Sequence, residues 1–151
     1  MTEEETTMFT KILYPTDFSD VSLKALDYIK QLKEGGTREV LILHVIDSRG
    51  LQAIETSVPQ HSIEFEGALM EDAERELNAL ETELTKYGLN VTIRLIVGNP
   101  LQEILKAEKE ETISILVIGS HGKSNLEEMF MGSISEKVVR KCKKPVLVVK
   151  R

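Results

Sequence analysis

Apolar and polar positions follow two alternating patterns along the chain: short apolar runs, and longer segments with apolar residues three or four apart. The runs predict five strands, at residues 8–14, 40–46, 91–97, 113–118 and 145–149. The longer segments predict four helices, at residues 21–34, at about 64–86, from Pro100 and from Ser133. Strands that alternate with helices in this way predict one α/β domain, a three-layer sandwich with a five-stranded parallel sheet between two layers of helices.

Residues with strong turn and cap preferences mark the ends of these elements. Ser19 or Asp20 can cap the first helix, and Asn99, which precedes a proline, can cap the third. Ser133 is predicted to cap the last helix. Residues 47–63 are mixed and contain glycine and proline, so we expect a mobile loop there.

Three polar turns follow predicted strands, at residues 15–17, at 46–47 and from Gly119 onward. In open parallel sheets, ligands bind outside the carboxyl ends of the strands, where the strand order reverses. The fold prediction therefore selects these turns as the candidate ligand site.

Length and composition fit a globular protein with a single core. The chain has 151 residues, of which 41% are hydrophobic and 29% charged, and no apolar run approaches the ~18 residues of a membrane helix. The N-terminus is acidic and lacks the apolar segment of a signal peptide, so we expect a disordered tail at 1–8, a folded domain at 9–151 and a cytoplasmic location. Cys142 is the only cysteine, which excludes an intramolecular disulfide, and we expect a packed thiol rather than a nucleophile.

Charge is unevenly distributed. The net charge is −6, yet residues 123–151 hold eight Lys or Arg against three Glu, a local balance of +5 that leaves −11 elsewhere. An acidic whole argues against nucleic acid as a partner. The basic end suits an anionic ligand, or equally a solvated surface.

A glycine-rich pattern carries the clearest chemistry. It reads Gly119-Ser120-His121-Gly122, then nine residues, then Gly132-Ser133. Glycine lets the backbone approach a phosphate closely, and successive N–H groups can form an anion-binding nest. Gly132-Ser133 opens a predicted helix, whose first N–H groups favour another anionic contact. The alternative is structural, with glycines that permit tight turns and a serine that only caps. A Walker A motif does not fit, because position 117 is valine.

The spacing Gly-x2-Gly-x9-Gly-Ser resembles the nucleotide-binding signature of the universal stress protein family. Residues 11–19, 43–47, 97–100 and 145–151 are similar to strand and turn segments of that family, in the same order. The resemblance covers about residues 9–151. It implies the ATP-binding subgroup, a role in stress response and an adenine nucleotide hydrolase-like, Rossmann-like fold.

The resemblance also implies where ATP would lie. The turn after the first strand would lie against the adenosine, with Asp17 near the ribose hydroxyls or a metal-bound water, and Val45 would offer backbone groups to the adenine. The glycine-rich segments would hold ribose and phosphates. The implied binding residues are Pro15, Thr16, Asp17, Val45, Gly119, Ser120, His121, Gly122, Lys123, Ser124, Asn125, Gly132, Ser133, Ile134 and Ser135.

Cofactor and partners follow from the same resemblance. It implies Mg²⁺ or Mn²⁺ held mainly by the phosphates, and a homodimer paired through the last strand, 145–150. A protein partner of unknown identity would read the nucleotide state, and neither nucleic acid nor membrane is expected.

The residues themselves leave the activity open. His121 is either a general base or, as we favour, a residue that shapes the loop, while His44 is expected to be a satisfied core histidine. No catalytic residue is identified. The favoured interpretation is a regulatory module that binds ATP and at most hydrolyses it slowly. The alternatives are a genuine ATPase or nucleotidyl-transfer enzyme, and a dimeric scaffold without a ligand.

Overall fold

Five parallel strands form the centre of the molecule. The computed structural model describes residues 8–110, 112–121 and 131–151. Its strands are β1 (Lys11–Pro15), β2 (Glu39–Asp47), β3 (Asn90–Gly98), β4 (Ile115–Gly119) and β5 (Val146–Val149). They pair in the order β3-β2-β1-β4-β5, and every pairing is parallel. The predicted five-stranded parallel sheet is confirmed, although the first strand begins at Lys11 rather than at residue 8.

Helices cover both faces of the sheet. They are α1 (Asp20–Glu34), α2 (Ser48–Ser57), α3 (Ser62–Lys86), α4 (Pro100–Glu110) and α5 (Ser133–Lys141), with a 3-10 turn at Pro59–His61. Helices α1 and α3 pack on one face, and α4 and α5 on the other. This arrangement is the predicted three-layer α/β sandwich.

Alternation along the strands divides the core into two parts. Ile12 and Tyr14 of β1 pack with α1 and α3, whereas Leu13, between them, packs with α4 and α5. Successive side chains of a strand point to opposite faces, so a strand covered on both sides has to be apolar at nearly every position. The nearly continuous apolar run of β2 has this cause.

The predicted helix caps hold at two of three positions. The Ser19 hydroxyl accepts a hydrogen bond from the backbone N–H of Ser22 at 3.3 Å, and the Asn99 side chain accepts one from Gln102 at 3.0 Å. The prediction for the last helix was wrong by one residue. Gly132 is its N-cap and Ser133 its first helical residue.

The prediction of a loop over residues 47–63 is also wrong. Helix α2 and the 3-10 turn occupy most of this segment. Asp47 caps α2, since its carboxylate accepts a hydrogen bond from the N–H of Arg49 at 3.0 Å. With a good cap in place, a short helix forms despite an internal glycine.

Two predicted segments fall wholly or largely outside the described residues. They are the N-terminal tail at 1–8, of which Met8 alone is described, and the loop from Gly119 to about Gly132, where 122–130 are not described. Across the described ranges, none of the helices combines the length and the apolar character that crossing a bilayer requires.

Candidate functional site

A cavity of about 740 Å³ opens at the carboxyl ends of β1, β2 and β4. The strand order reverses here, because β2 and β4 flank β1 on opposite sides. Polar groups of the wall come mainly from the turn after β1, the end of β4 and the start of α5. Apolar groups come mainly from the end of β2, from α2, and from the first turns of α3 and α4. The cavity therefore joins a polar region toward β4 to an apolar region toward β2.

The turn after β1 is fixed by its own side chains. The buried Thr16 hydroxyl oxygen accepts hydrogen bonds from the Ser22 hydroxyl at 2.6 Å and from the N–H of Phe18 at 3.1 Å. The Asp17 carboxylate accepts one from the N–H of Ser19 at 3.0 Å. The turn reaches the cavity already ordered, which reduces the entropy lost when a ligand binds.

His44 of β2 supports the same turn. Its Nδ1 lies 2.7 Å from the carbonyl oxygen of Thr16, and since a carbonyl only accepts, Nδ1 carries the proton. Phe18 packs its ring on the imidazole, with 4.4 Å between ring centroids. Phe18 adopts a left-handed backbone, φ 64°, which costs about 1 kcal/mol for such a residue. Contacts with His44 help to hold this turn in place.

His44 differs from its prediction as a core residue. It is hydrogen-bonded, as expected, but it is only half-buried and lines the cavity. The signal in the sequence was its place near the carboxyl end of a parallel strand, where ligands bind.

Gly119, at the end of β4, is required by the packing of α1. A Cβ built on it would lie 3.0 Å from the backbone nitrogen of Ser22 and 3.2 Å from the Cα of the same residue. Glycine therefore allows the first turn of α1 to approach the sheet closely. This is a structural reason for the glycine that is independent of any ligand.

Ser120 joins three elements behind the wall of the cavity. Its N–H donates to the carbonyl of Val149 at 2.8 Å, and its own carbonyl accepts from the N–H of Gly132 at 2.7 Å and from the Ser135 hydroxyl at 2.9 Å. It is buried and does not line the cavity. Ser120 thus fixes β4, β5 and the start of α5 relative to one another.

His121 lines the cavity, and one of its ring nitrogens has no partner among the described residues. The residue is 8% exposed, and its Nδ1 lies 2.7 Å from the Ser120 hydroxyl oxygen. In the described part of the chain, its Nε2 is a buried polar atom without a hydrogen bond. Such an atom is costly to leave unpaired, so it marks a point where a polar ligand atom would be stabilised.

The start of α5 faces the cavity. Gly132, Ser133, Ile134 and Ser135 all line it, and within the described residues no side chain caps the helix. The first N–H groups of a helix carry partial positive charge and favour anions. At Gly132, φ is −61° and an added Cβ would come no nearer than 3.4 Å to its neighbours. Neither backbone conformation nor packing therefore demands a glycine there.

Two carboxylates also line the cavity, those of Asp17 and Asp47, and in the described ranges no Lys or Arg does. Arg49 donates from its side chain to the Asp47 carboxylate, at 2.9 Å, and thereby lowers the pKa of that group. The described residues contain no cluster of three or more His, Cys, Asp or Glu able to hold a metal ion.

The structure brings most of the predicted site residues together. Those that line the cavity are Pro15, Thr16, Asp17, Val45, Gly119, His121, Gly132, Ser133, Ile134 and Ser135. Ser120 lies behind the wall, and Gly122, Lys123, Ser124 and Asn125 are outside the described residues. The sequence reasoning missed the apolar residues that line the cavity from two helices, namely Leu51 and Ile54 of α2 and Phe65 and Leu69 of α3.

Solved structures with low sequence identity share this fold. A universal stress protein in complex with cAMP is 22% identical, with a TM-score of 0.63 over 95% of this chain and 98% of its own. The universal stress protein from Archaeoglobus fulgidus in complex with dAMP is 20% identical, with a TM-score of 0.65 over 95% of this chain and 99% of its own.

Closer relatives cover nearly the whole chain. Universal stress protein MJ0577 of Methanocaldococcus jannaschii is 40% identical over 95% of this chain and 96% of its own. Its solved structure matches with a TM-score of 0.87 at 42% identity, over 95% of this chain and 97% of that one. Universal stress protein YxiE of Bacillus subtilis is 35% identical over 95% of this chain and 100% of its own. The model of the Universal stress protein family matches residues 8–150, and the chain belongs to that family.

Proposed function

We propose that this protein is a regulatory module that binds ATP in the cavity at the carboxyl ends of β1, β2 and β4. One observation carries the proposal: an apolar wall that suits a base shares one cavity with a helix start that suits phosphates and that no described side chain caps. Its volume of about 740 Å³ lies within the usual range for small-molecule sites.

Each part of the nucleotide has a matching part of the wall. The backbone of Val45 and the apolar side chains around it receive the adenine, and the ordered turn with Thr16 and Asp17 receives the ribose. The phosphates lie at the start of α5, where Ser133 is exposed, and near Nε2 of His121. The predicted contacts of residues 122–125 belong to the same proposal.

Related proteins support the choice of an adenine nucleotide. Two universal stress proteins of the same fold form complexes with cAMP and dAMP. Both ligands share adenine and one phosphate with ATP. The choice of a triphosphate rather than a monophosphate is supported by the helix start and by the Gly-x2-Gly-x9-Gly-Ser spacing.

A divalent cation fits this site through the ligand rather than through the protein. The described wall contributes two carboxylates and neither Lys nor Arg, so bound phosphates need charge compensation. Mg²⁺ prefers phosphate oxygens and waters, with one or two carboxylates. We assign to Asp17 a contact with the water shell of the ion, and Mg²⁺ or Mn²⁺ would neutralise phosphate charge.

The arrangement favours a regulatory role over an efficient ATPase. His121 pairs with the Ser120 hydroxyl through Nδ1, and a serine is a weaker orienting partner for a general base than a carboxylate. Slow hydrolysis is compatible with this site. Nucleotide state would then be read by a partner protein, and the protein would act as a homodimer through its last strand.

A negative charge introduced at Ser133, compared with a neutral substitution at the same position, tests the site. Isothermal titration of the whole chain with ATP and Mg²⁺ should give one site, and nucleotide extracted from the purified protein should be ATP. Ser133→Glu should lower the affinity for ATP at least about tenfold, because a carboxylate would compete with phosphate at the helix start. It should not unfold the protein, since acidic residues in a first helical turn are stabilising. Ser133→Gln, the neutral control, should retain most of the affinity. Absence of bound nucleotide together with no heat on adding ATP would overturn the proposal.

A further inference from the structure

We propose that α2 is the cover of the base subsite: Leu51 and Ile54 pack on the nucleobase, and α2 docks firmly only when a base is present. This inference rests on the ATP-binding function proposed above. It assigns a binding role to a segment, 48–57, that carries none of the glycine-rich signature.

Helix α2 lacks the packing that stabilises the other long helices. All ten of its residues are described, and none is buried. By contrast, α1 buries five residues and α3 buries four. A helix of this length is marginal in water without tertiary packing. Its stability therefore depends on whatever covers its apolar side.

The apolar side of α2 faces the cavity. Leu51 and Ile54 are three residues apart, so they lie on one side of the helix. Both are half-buried, and both line the cavity. Gln52, Ala53 and Glu55, on other sides of the helix, are exposed. The two apolar residues thus have the cavity, rather than the core, as their neighbour.

The chemistry of this part of the wall selects a flat apolar group. Phe65 and Leu69 of α3 line the cavity, as do Ile46 and Ile104. A nucleobase presents apolar faces that these side chains can cover, whereas a free polyphosphate offers none. A base that buries Leu51 and Ile54 stabilises docked α2, and by linkage docked α2 raises the affinity for the base.

Hydrogen exchange of the whole chain tests the coupling between base and helix. ATP should slow amide exchange across residues 48–57, while inorganic tripolyphosphate should leave it unchanged even at concentrations that saturate the phosphate site. Equal protection of this segment with and without saturating ATP would overturn the proposal, while leaving ATP binding itself established. Failure of ATP to bind would show directly in the titration, and would remove both this proposal and the function on which it rests.

Substitutions in α2 test the contact itself. The double variant Leu51→Gln/Ile54→Gln keeps helix-compatible side chains and removes the apolar side. It should narrow the preference for ATP over tripolyphosphate by roughly tenfold. Ala53→Gln, on an exposed position of the same helix, is the matched control and should leave that preference as in the wild type. An unchanged preference in the double variant would also overturn the proposal.

Discussion

At the scale of single residues, glycine occupies two positions of one motif for different physical reasons. Gly119 is needed for the close approach of α1, because a Cβ would lie 3.0 Å from a backbone nitrogen. Gly132 has an ordinary φ of −61° and room for a Cβ. The proposed function explains why residue 132 is a glycine, since a phosphate at the helix start would pass close to its Cα.

This contrast predicts opposite results for two substitutions. Gly132→Ser should change the free energy of unfolding by only a few tenths of a kcal/mol, because serine is a good N-cap, yet weaken ATP roughly tenfold or more by crowding the phosphates. Gly119→Ala should cost about 1–3 kcal/mol of stability through overpacking. Denaturant unfolding without ligand and titration with ATP measure the two effects. A stable Gly119→Ala protein, or a Gly132→Ser protein with wild-type affinity, would contradict this assignment.

His44 is predicted to act on the ligand through the turn that it supports. His44→Asn keeps a donor near Thr16, whereas His44→Phe keeps a ring for Phe18 and loses the donor. We expect His44→Phe to lose about 1 kcal/mol of stability and to bind ATP several-fold more weakly. His44→Asn should retain more of the affinity for ATP. Titration and unfolding of the two variants side by side check this. If the two variants bind ATP with equal affinity, the hydrogen bond to the Thr16 carbonyl does not position the site.

Cys142 is predicted to be an unreactive thiol. Burial, with a smaller contribution from the nearby Glu108 carboxylate, raises its pKa to about 11. At pH 8 roughly one thiol in a thousand is then ionised, and the thiolate is the reactive form. Alkylation by iodoacetamide at pH 8 should be about a hundredfold slower than for a free cysteine and should accelerate toward pH 10. Fast labelling at pH 7 would show that the thiol is not held in this environment.

At the scale of elements, the sequence pattern predicted the strands and helices whose residues are buried in the core. The strands and long helices bury apolar residues at regular spacing, and that spacing is visible in the chain. Helix α2 escaped although Leu51 and Ile54 have helical spacing, because the segment is short, contains Gly50 and buries none of its residues. Its cap at Asp47 was interpreted only as part of a polar turn. The elements hardest to predict here are those whose neighbour is a cavity rather than the core.

The cap of α2 is predicted to make its stability depend on pH. Arg49 lowers the pKa of Asp47 in the folded protein, so the contribution of the carboxylate is fully present above the unfolded value, about 4, and is lost as pH falls through the lower folded value. An NMR titration of the Arg49 amide should give a midpoint below that of a free aspartate. Asp47→Asn should cap almost as well without titrating, while Asp47→Ala should cost α2 about 1 kcal/mol. A midpoint at or above about 4 would contradict the proposed cap.

At the scale of the whole molecule, the site depends on contacts between elements that are distant in sequence. The Ser120 carbonyl fixes the start of α5, its N–H bonds to β5, and Gly119 next to it allows α1 to pack. The cavity can therefore change little without a change in the relative positions of the sheet and its helices. Conversely, α2 contacts the 3-10 turn, α3 and β3 but buries none of its residues, so we expect this part of the wall to respond readily to a ligand.

The last strand leaves an open edge that is predicted to pair with a second copy. β5 pairs with β4 alone within the described sheet, and the carbonyls of Pro145 and Val149 bond toward β4. In a parallel ladder, alternate residues bond to alternate sides, so the backbone groups of Val146 and Val148 point to the open edge.

The substitution Val148→Pro tests this pairing. It removes an outward N–H and spares the ladder with β4, and edge strands tolerate proline at such a position. We expect it to shift the protein from dimer to monomer in sedimentation analysis. Val148→Thr, which keeps the N–H and the branched shape, should remain dimeric. If the proline variant stays folded and dimeric, the copies pair elsewhere, and if the wild type sediments as a monomer, the edge is left unpaired.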